Sequence, residues 1–288
     1  MAVFERTYRP YAGAVTPTRS RFLILPRYAY ADVFKSRLFA VFFALCFAVP
    51  FAGLLIIYLH QNLSALQVLG LTKERLDEFL PINATFFWRG LSQQGGLCYA
   101  LMLFVGPALV APDLRNNGLP LYLARPFSRA EYVLGKLSVL AILMSLITWI
   151  PGLLLWAFQA YLEKGWGAAN LRIAGAIFAG SWVWILFLSL FALAVSSWVK
   201  WKAVARIALL MLFFAGRAVG QAFEVILHVS IGKLFDAWAA IAAVWASLFS
   251  TEPPEDHPLA YAWITLAGGS LVFLWLLKRR LRAYEVVR

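Results

Sequence analysis

The sequence predicts an all-α integral membrane protein of six transmembrane helices, and three observations point that way. Hydrophobic residues make up 62% of the 288, aromatic residues 16% and charged residues only 14%, whereas soluble domains average roughly 45–50% apolar and about 25% charged. The apolar residues gather into runs near the ~20 residues that a helix needs to cross about 30 Å of hydrocarbon. These runs lack strict alternation, which argues against a barrel, and a spanning helix satisfies its own backbone groups in lipid. The net charge of +12 falls in clusters between the runs. It therefore reports topology, and no nucleic-acid partner is expected.

A leader, 1–37, comes first. After Pro26, a good first-turn residue, Tyr30, Val33, Phe34 and Leu38 recur at helical spacing while Asp32, Lys35 and Ser36 point the other way. This pattern predicts an amphipathic helix lying in the membrane interface; the alternative is a leader that supplies topogenic charge alone. The first apolar run lacks the short core and cleavage site of a signal peptide, so it is expected to be retained.

The transmembrane domain, 38–277, holds six runs of spanning length at 38–59, 94–111, 132–158, 171–195, 203–222 and 259–277. A seventh apolar region, 223–250, is interrupted by Glu224, His228, Gly232, Lys233 and Asp236. Its cleaner part, 234–249, would reach only about 24 Å as a helix. This region is expected to form a re-entrant helical hairpin between the fifth and sixth spans. A basic tail, 278–288, ends the chain.

Orientation follows from the flanking Lys and Arg. With an inside N-terminus, 19 of the 26 basic residues fall on the inner side and 6 on the outer, with Arg217 inside the fifth span. Both termini are expected in the cytoplasm. A seventh full span would put the tail KRRLRAYEVVR outside, against the densest basic cluster.

That orientation makes 112–131 a cytoplasmic loop, DLRNNGLPLYLARPFSRAE after Pro112. NNGLP supplies turn chemistry, LPLYLA can form a short apolar helix, and Ser128 with Glu131 has the form of a capping box at the start of the third span. A short, capped, polar-flanked helix projecting from a membrane bundle is a docking element.

At these residues the chain resembles the permease subunits of ABC-2 type ABC transporters, which share the type V exporter fold. The resemblance rests on Asp113 at the end of the second span, the turn and helix NNGLPLYLA, and RPFSRAEYVLGK, where the family shows Arg/Leu-Pro-x-Ser-Arg followed by Tyr and Gly-Lys. It implies that Leu119, Pro120, Leu121, Tyr122, Leu123 and Ala124 form a coupling helix seated on a separate ABC ATPase subunit. Arg125, Pro126, Ser128 and Arg129 would fix its base, with Asp113, Arg115, Lys35 and Arg37 supporting it. The resemblance further implies two ATPase copies carrying ATP and Mg, a second permease subunit as homodimer or heterodimer, and the plasma (inner) membrane of a prokaryote. The short outer segment 60–90 leaves no room for a large extracellular domain. The rival reading is a non-transporting subunit that transmits ATP-driven motion to another membrane or periplasmic protein.

The chain itself is not expected to be an enzyme or to bind a cofactor. A P-loop needs Gly-x-x-x-x-Gly-Lys-Ser/Thr, and Gly135-Lys136 and Gly232-Lys233 are each followed by Leu. There is no His-Glu-x-x-His and no Gly-x-Ser-x-Gly. Glu224 and His228 share a helix face, but two ligands do not make a metal site. Cys46 and Cys98 lie in apolar runs and imply no disulfide framework. Arg217 stands out, since a charge within a span is costly and normally meets a partner. Glu224, seven residues on, falls on nearly the same face and is a candidate partner, the two forming a candidate gate pair on the outer side; the alternative is that Arg217 snorkels outward.

Overall fold

The computed structural model describes residues 24–62, 72–116, 129–227, 230–253, 255 and 257–280. Among the described residues the protein is helical throughout, with no strands. Six helices are long and apolar enough to cross a membrane: Arg37–Gln61, Ala84–Asp113, Arg129–Leu162, Leu171–Trp198, Lys202–Ile226 and Leu259–Arg280, spans 1 to 6 below. Spans 2, 3 and 4 form the interior, their most apolar stretches being 61%, 50% and 72% buried, against 11%, 17% and 11% for spans 1, 5 and 6. Arg115, Arg129, Trp198, Lys202 and Arg280 gather at one end of the bundle, called the basic end.

Two boundaries differ from the sequence reading. Span 2 starts at Ala84, well before 94, because the Asn83 side chain accepts from the Phe86 N–H at 3.2 Å and caps a helix whose first turns are polar. Span 5 runs on to Leu227 as one helix, past 222. The first residues of the expected hairpin therefore belong to that span.

Prolines decide where several polar side chains go. Pro50 has no N–H, so in span 1 the Cys46 carbonyl loses its helical donor; Gln94 of span 2 donates its Nε2 to that oxygen at 3.0 Å. Span 1 is broken there, between Arg37–Leu45 and Ala48–Gln61. Pro107 frees the Leu103 carbonyl in the same way, and Arg206 of span 5 supplies Nε at 3.0 Å. In hydrocarbon no water can serve these oxygens, so a neighbouring span must. Span 3 breaks at Thr148, between Arg129–Ile147 and Trp149–Leu162, with Pro151 in its first turn beyond. Small residues bring spans 2 and 4 together: a Cβ on Gly106 would stand 2.8 Å from that of Ala192, and Ser196 donates to the Gly106 carbonyl at 3.1 Å.

Beyond span 5 a 3-10 segment, Ser230–Phe235, doubles back along it. Gly220 and Gly232 meet backbone to backbone, each leaving no room for a Cβ on the other. The helix Ala237–Phe249 follows; its 13 residues reach about 20 Å, too short to cross. It is buried along most of its length. Asp236 caps it by accepting from the N–H groups of Trp238 and Ala239, both at 3.0 Å. Arg172 closes the other end, giving hydrogen bonds of 3.0 Å to the carbonyls of Ser247 and Leu248, where a cation also suits the helix dipole.

Candidate functional site

The site at the basic end is the neck formed where span 2 ends at Arg115 and span 3 begins at Arg129. Span 2 delivers Asp113 and Arg115 in its last turn, and span 3 starts at Arg129 with Glu131, Tyr132 and Lys136 behind it. The Asp113 carboxylate accepts from the Tyr132 hydroxyl at 2.7 Å and pairs with the Lys136 ammonium at 2.9 Å through the same oxygen, Oδ2. Tyr132 and Lys136 are one turn apart, so a single face of span 3 presents both, and the ammonium lies 5.6 Å from the Tyr132 ring. The Lys136 and Asp113 side chains are only 11% and 17% exposed. A buried ion pair is retained only with good geometry and further hydrogen bonds, and here the phenol provides one. The end of span 2 and the start of span 3 are thus tied side chain to side chain.

Neighbouring contacts stiffen the neck. The Arg115 guanidinium sits 4.5 Å from the centre of the Trp201 ring, between spans 4 and 5. Arg280 reaches from span 6 to the Ser197 carbonyl at 3.3 Å and lies over Trp198. The leader helix Ile24–Val33 packs on span 3, where the Tyr30 hydroxyl donates to the Val139 carbonyl at 3.4 Å. Burial pushes the Tyr30 pKa up to about 12, so the phenol keeps its proton and stays a donor across the ordinary pH range.

Of the residues singled out from sequence, Asp113 and Arg115 lie in the neck. Arg129 is exposed at the start of span 3, and Arg37 is exposed at the start of span 1. Lys35 turns to Asp32 at 2.6 Å, both exposed. That hydrogen bond, then the Lys35 charge, hold the Asp32 carboxyl below its usual range. Leu119, Pro120, Leu121, Tyr122, Leu123, Ala124, Arg125, Pro126 and Ser128 lie outside the described residues, as does the cap that Ser128 would form. A helix does precede span 1, at Ile24–Val33, but Leu38 lies outside it: Leu38 belongs to span 1 and is 79% exposed.

The expected Arg217–Glu224 pair is not formed. Arg217 meets Asp236 at 3.4 Å and Glu255 at 2.9 Å, while Glu224 faces Lys233 at 4.0 Å. All five charged groups line one cavity of about 280 Å³ with His257. Helical spacing gave Arg217 a partner on its own helix; the 3-10 segment doubling back carries a better one, Asp236, to it. Asp236→Ala removes both an N-cap and an ion partner and should lower stability by about 0.5–2 kcal/mol. Glu224→Ala, at the looser and more exposed pair, should change it by less than about 0.5 kcal/mol, both read by thermal unfolding in detergent.

Helical periodicity assigns no role to Tyr132, Lys136 or Trp201. The available signal was Lys136 itself, a cation one turn inside an apolar run, which needs an anion within reach. The six helices long and apolar enough to span fit a multi-pass membrane protein. No protein-family model matches the chain, and no curated protein matches it.

Proposed function

We propose that the chain is the membrane-spanning permease subunit of an ABC-2 type transporter, most consistent with export, and that 119–124 is its docking element for a separate ATPase. The observation that carries this reading is the neck: Asp113 tied to Tyr132 and Lys136. A push on a floppy loop is dissipated, whereas a push on a loop whose two feet are bound to each other moves spans 2 and 3 together. Span 2 and span 3 are interior helices, so displacement at the neck reaches the centre of the bundle. The leader helix, seated on span 3, braces the same place.

In this reading the basic end faces the cytoplasm of a prokaryotic cell, with both termini there, as the distribution of Lys and Arg favours. Two such chains, or one with a related partner, enclose the pathway, and two ATPase subunits bind ATP and Mg beneath them. Nucleotide binding closes the ATPases and biases a two-state bundle. The element 230–249 is the re-entrant hairpin on the far side, held by the Arg217 and Asp236 contacts.

The test is purification of the tagged full-length chain from its native membranes, followed by ATP hydrolysis and subunit stoichiometry. A complex with two nucleotide-binding subunits per two copies of this chain is expected. Arg125→Glu combined with Arg129→Glu should strip the ATPase at least about tenfold, the effect of reversing charge at a docking site, with the chain's own melting temperature unchanged. Undiminished co-purification of the ATPase with that variant would reject the docking assignment.

A further inference from the structure

A cavity of about 660 Å³ lies at the opposite end of the bundle from the neck, between the second half of span 1, the first turns of span 2 and the second half of span 3, with the short helix Lys73–Phe79 over it. This size and a mainly apolar lining are those of a site for a small organic ligand. Its deep end lies beside the breaks in spans 1 and 3, where Gln94 and Thr148 line it. Asn83 at the mouth and Gln94 at the floor are separated by three helical turns, roughly 16 Å along span 2, about half the hydrocarbon thickness. Its mouth carries two charges of opposite sign, Glu78 and Arg89. Both are exposed, and neither has an ion-pair partner among the residues whose side chains are described.

We propose that this cavity binds a zwitterionic phospholipid, with its hydrocarbon between spans 1 and 3 and its head at the mouth. The guanidinium of Arg89 fits the phosphate, to which Arg makes strong charge-assisted hydrogen bonds, and the Glu78 carboxylate fits the ammonium. A purely anionic amphiphile would meet Glu78, and a purely cationic one would meet Arg89. Only a head bearing both signs matches both side chains. The wall on the span 1 side is one helix thick, and that helix otherwise presents Phe51, Leu54 and Leu55 outward, so the cavity lies next to the lipid-facing side of the bundle. The assignment is independent of the ATPase reading, since none of these residues touches the neck.

Gly90 supplies a clean test. It lines the cavity, and a Cβ there meets no atom within 4 Å, so Gly90→Phe is the substitution expected to fill the space. The delipidated full-length chain in detergent would be titrated with dioleoyl phosphatidylethanolamine, dioleoyl phosphatidylglycerol and dioleoylglycerol, and the adducts read by native mass spectrometry. Phosphatidylethanolamine should bind at about tenfold lower concentration than either comparator, the scale of one charge-assisted contact. Gly90→Phe should abolish that adduct, Arg89→Gln should weaken it, and Glu78→Gln should erase the preference over phosphatidylglycerol. Equal binding of the three lipids, preference for phosphatidylglycerol, or an undiminished adduct with Gly90→Phe would overturn the proposal. Melting temperatures of all three variants separate loss of the site from loss of the fold, and should Gly90→Phe unfold, the exposed Arg89 and Glu78 variants decide alone.

Discussion

Lys136→Met should destabilise the protein by about 3–5 kcal/mol, because it leaves the Asp113 carboxylate buried against a phenol with no cation beside it. Asp113→Leu should also be destabilising, since it takes the carboxylate away from an ammonium whose side chain is 11% exposed. The double change Asp113→Leu with Lys136→Met removes both charges together, so its cost should fall well below the sum of the two. It should fall below that of either single, since apolar replacement of a buried pair is often near neutral. Tyr132→Phe deletes one hydrogen bond to a charged oxygen and should cost about 1.5–3 kcal/mol. Reversible unfolding in mixed micelles, run as a double-mutant cycle, measures the coupling directly. Strict additivity of the two single changes would show that the pair at 2.9 Å does not hold the neck. The functional consequence separates from stability: if the neck transmits force, Tyr132→Phe should lower coupled transport at a temperature where the variant is fully folded.

Much of this architecture was legible in the sequence because lipid leaves few options. An apolar run of sufficient length has to be a helix in lipid, and all six such runs lie in helices long and apolar enough to span. The short helix at 237–249 was legible for the opposite reason, since its run is too brief. What hid were features set by contacts between distant segments. The first turns of span 2 hold Arg89, Ser92 and Gln93 and look like loop by hydropathy; the Asn83 cap and the Ser92 hydroxyl, which returns to the Trp88 carbonyl at 2.9 Å, make them helix. Gln94 looked like a span boundary, yet it sits mid-bundle because Pro50 of another span frees a carbonyl for it. Arg217 announced that it needs an anion. Choosing among Glu224, Asp236 and Glu255 required the path of the 3-10 segment, which helical periodicity does not encode. At the neck, sequence reasoning placed Asp113 correctly at the end of span 2 but missed that Lys136 and Tyr132 answer it. The segment that motivated the docking reading, 119–128, is beyond what the structure describes, so the neck is the part of the site that bears on it.

Trp245→Ala should be among the most damaging single changes in the bundle, costing about 3–5 kcal/mol. Trp245 stands on the short helix Ala237–Phe249 and is 1% exposed. Its Nε1 donates to the Gly180 carbonyl of span 4 at 2.9 Å, and its ring meets Trp184 at 6.2 Å with the planes 78° apart. Trp184 in turn donates to the Gly95 carbonyl of span 2 at 3.0 Å. One indole therefore joins the non-spanning helix to spans 2 and 4 at the centre of the fold. Gly95 and Gly180 exist to admit it: a Cβ on Gly95 would overlap the Trp245 ring, and one on Gly180 would come within 2.7 Å of it. Gly95→Ala should hence cost about 1–3 kcal/mol by overpacking, although Gly to Ala inside a helix is normally favourable by about 0.5–1 kcal/mol. The sign of that change is the sharper test. Trp245→Ala opens a void and Gly95→Ala adds a methyl where the ring stands, so the double variant should recover part of the loss because the new methyl enters the vacated space. Trp263→Ala, at an exposed ring, should stay within about 0.5 kcal/mol of the parent. Were Gly95→Ala to stabilise the protein in thermal unfolding, the close approach of span 2 to the Trp245 ring would be wrong, and with it the anchoring of the helix at 237–249.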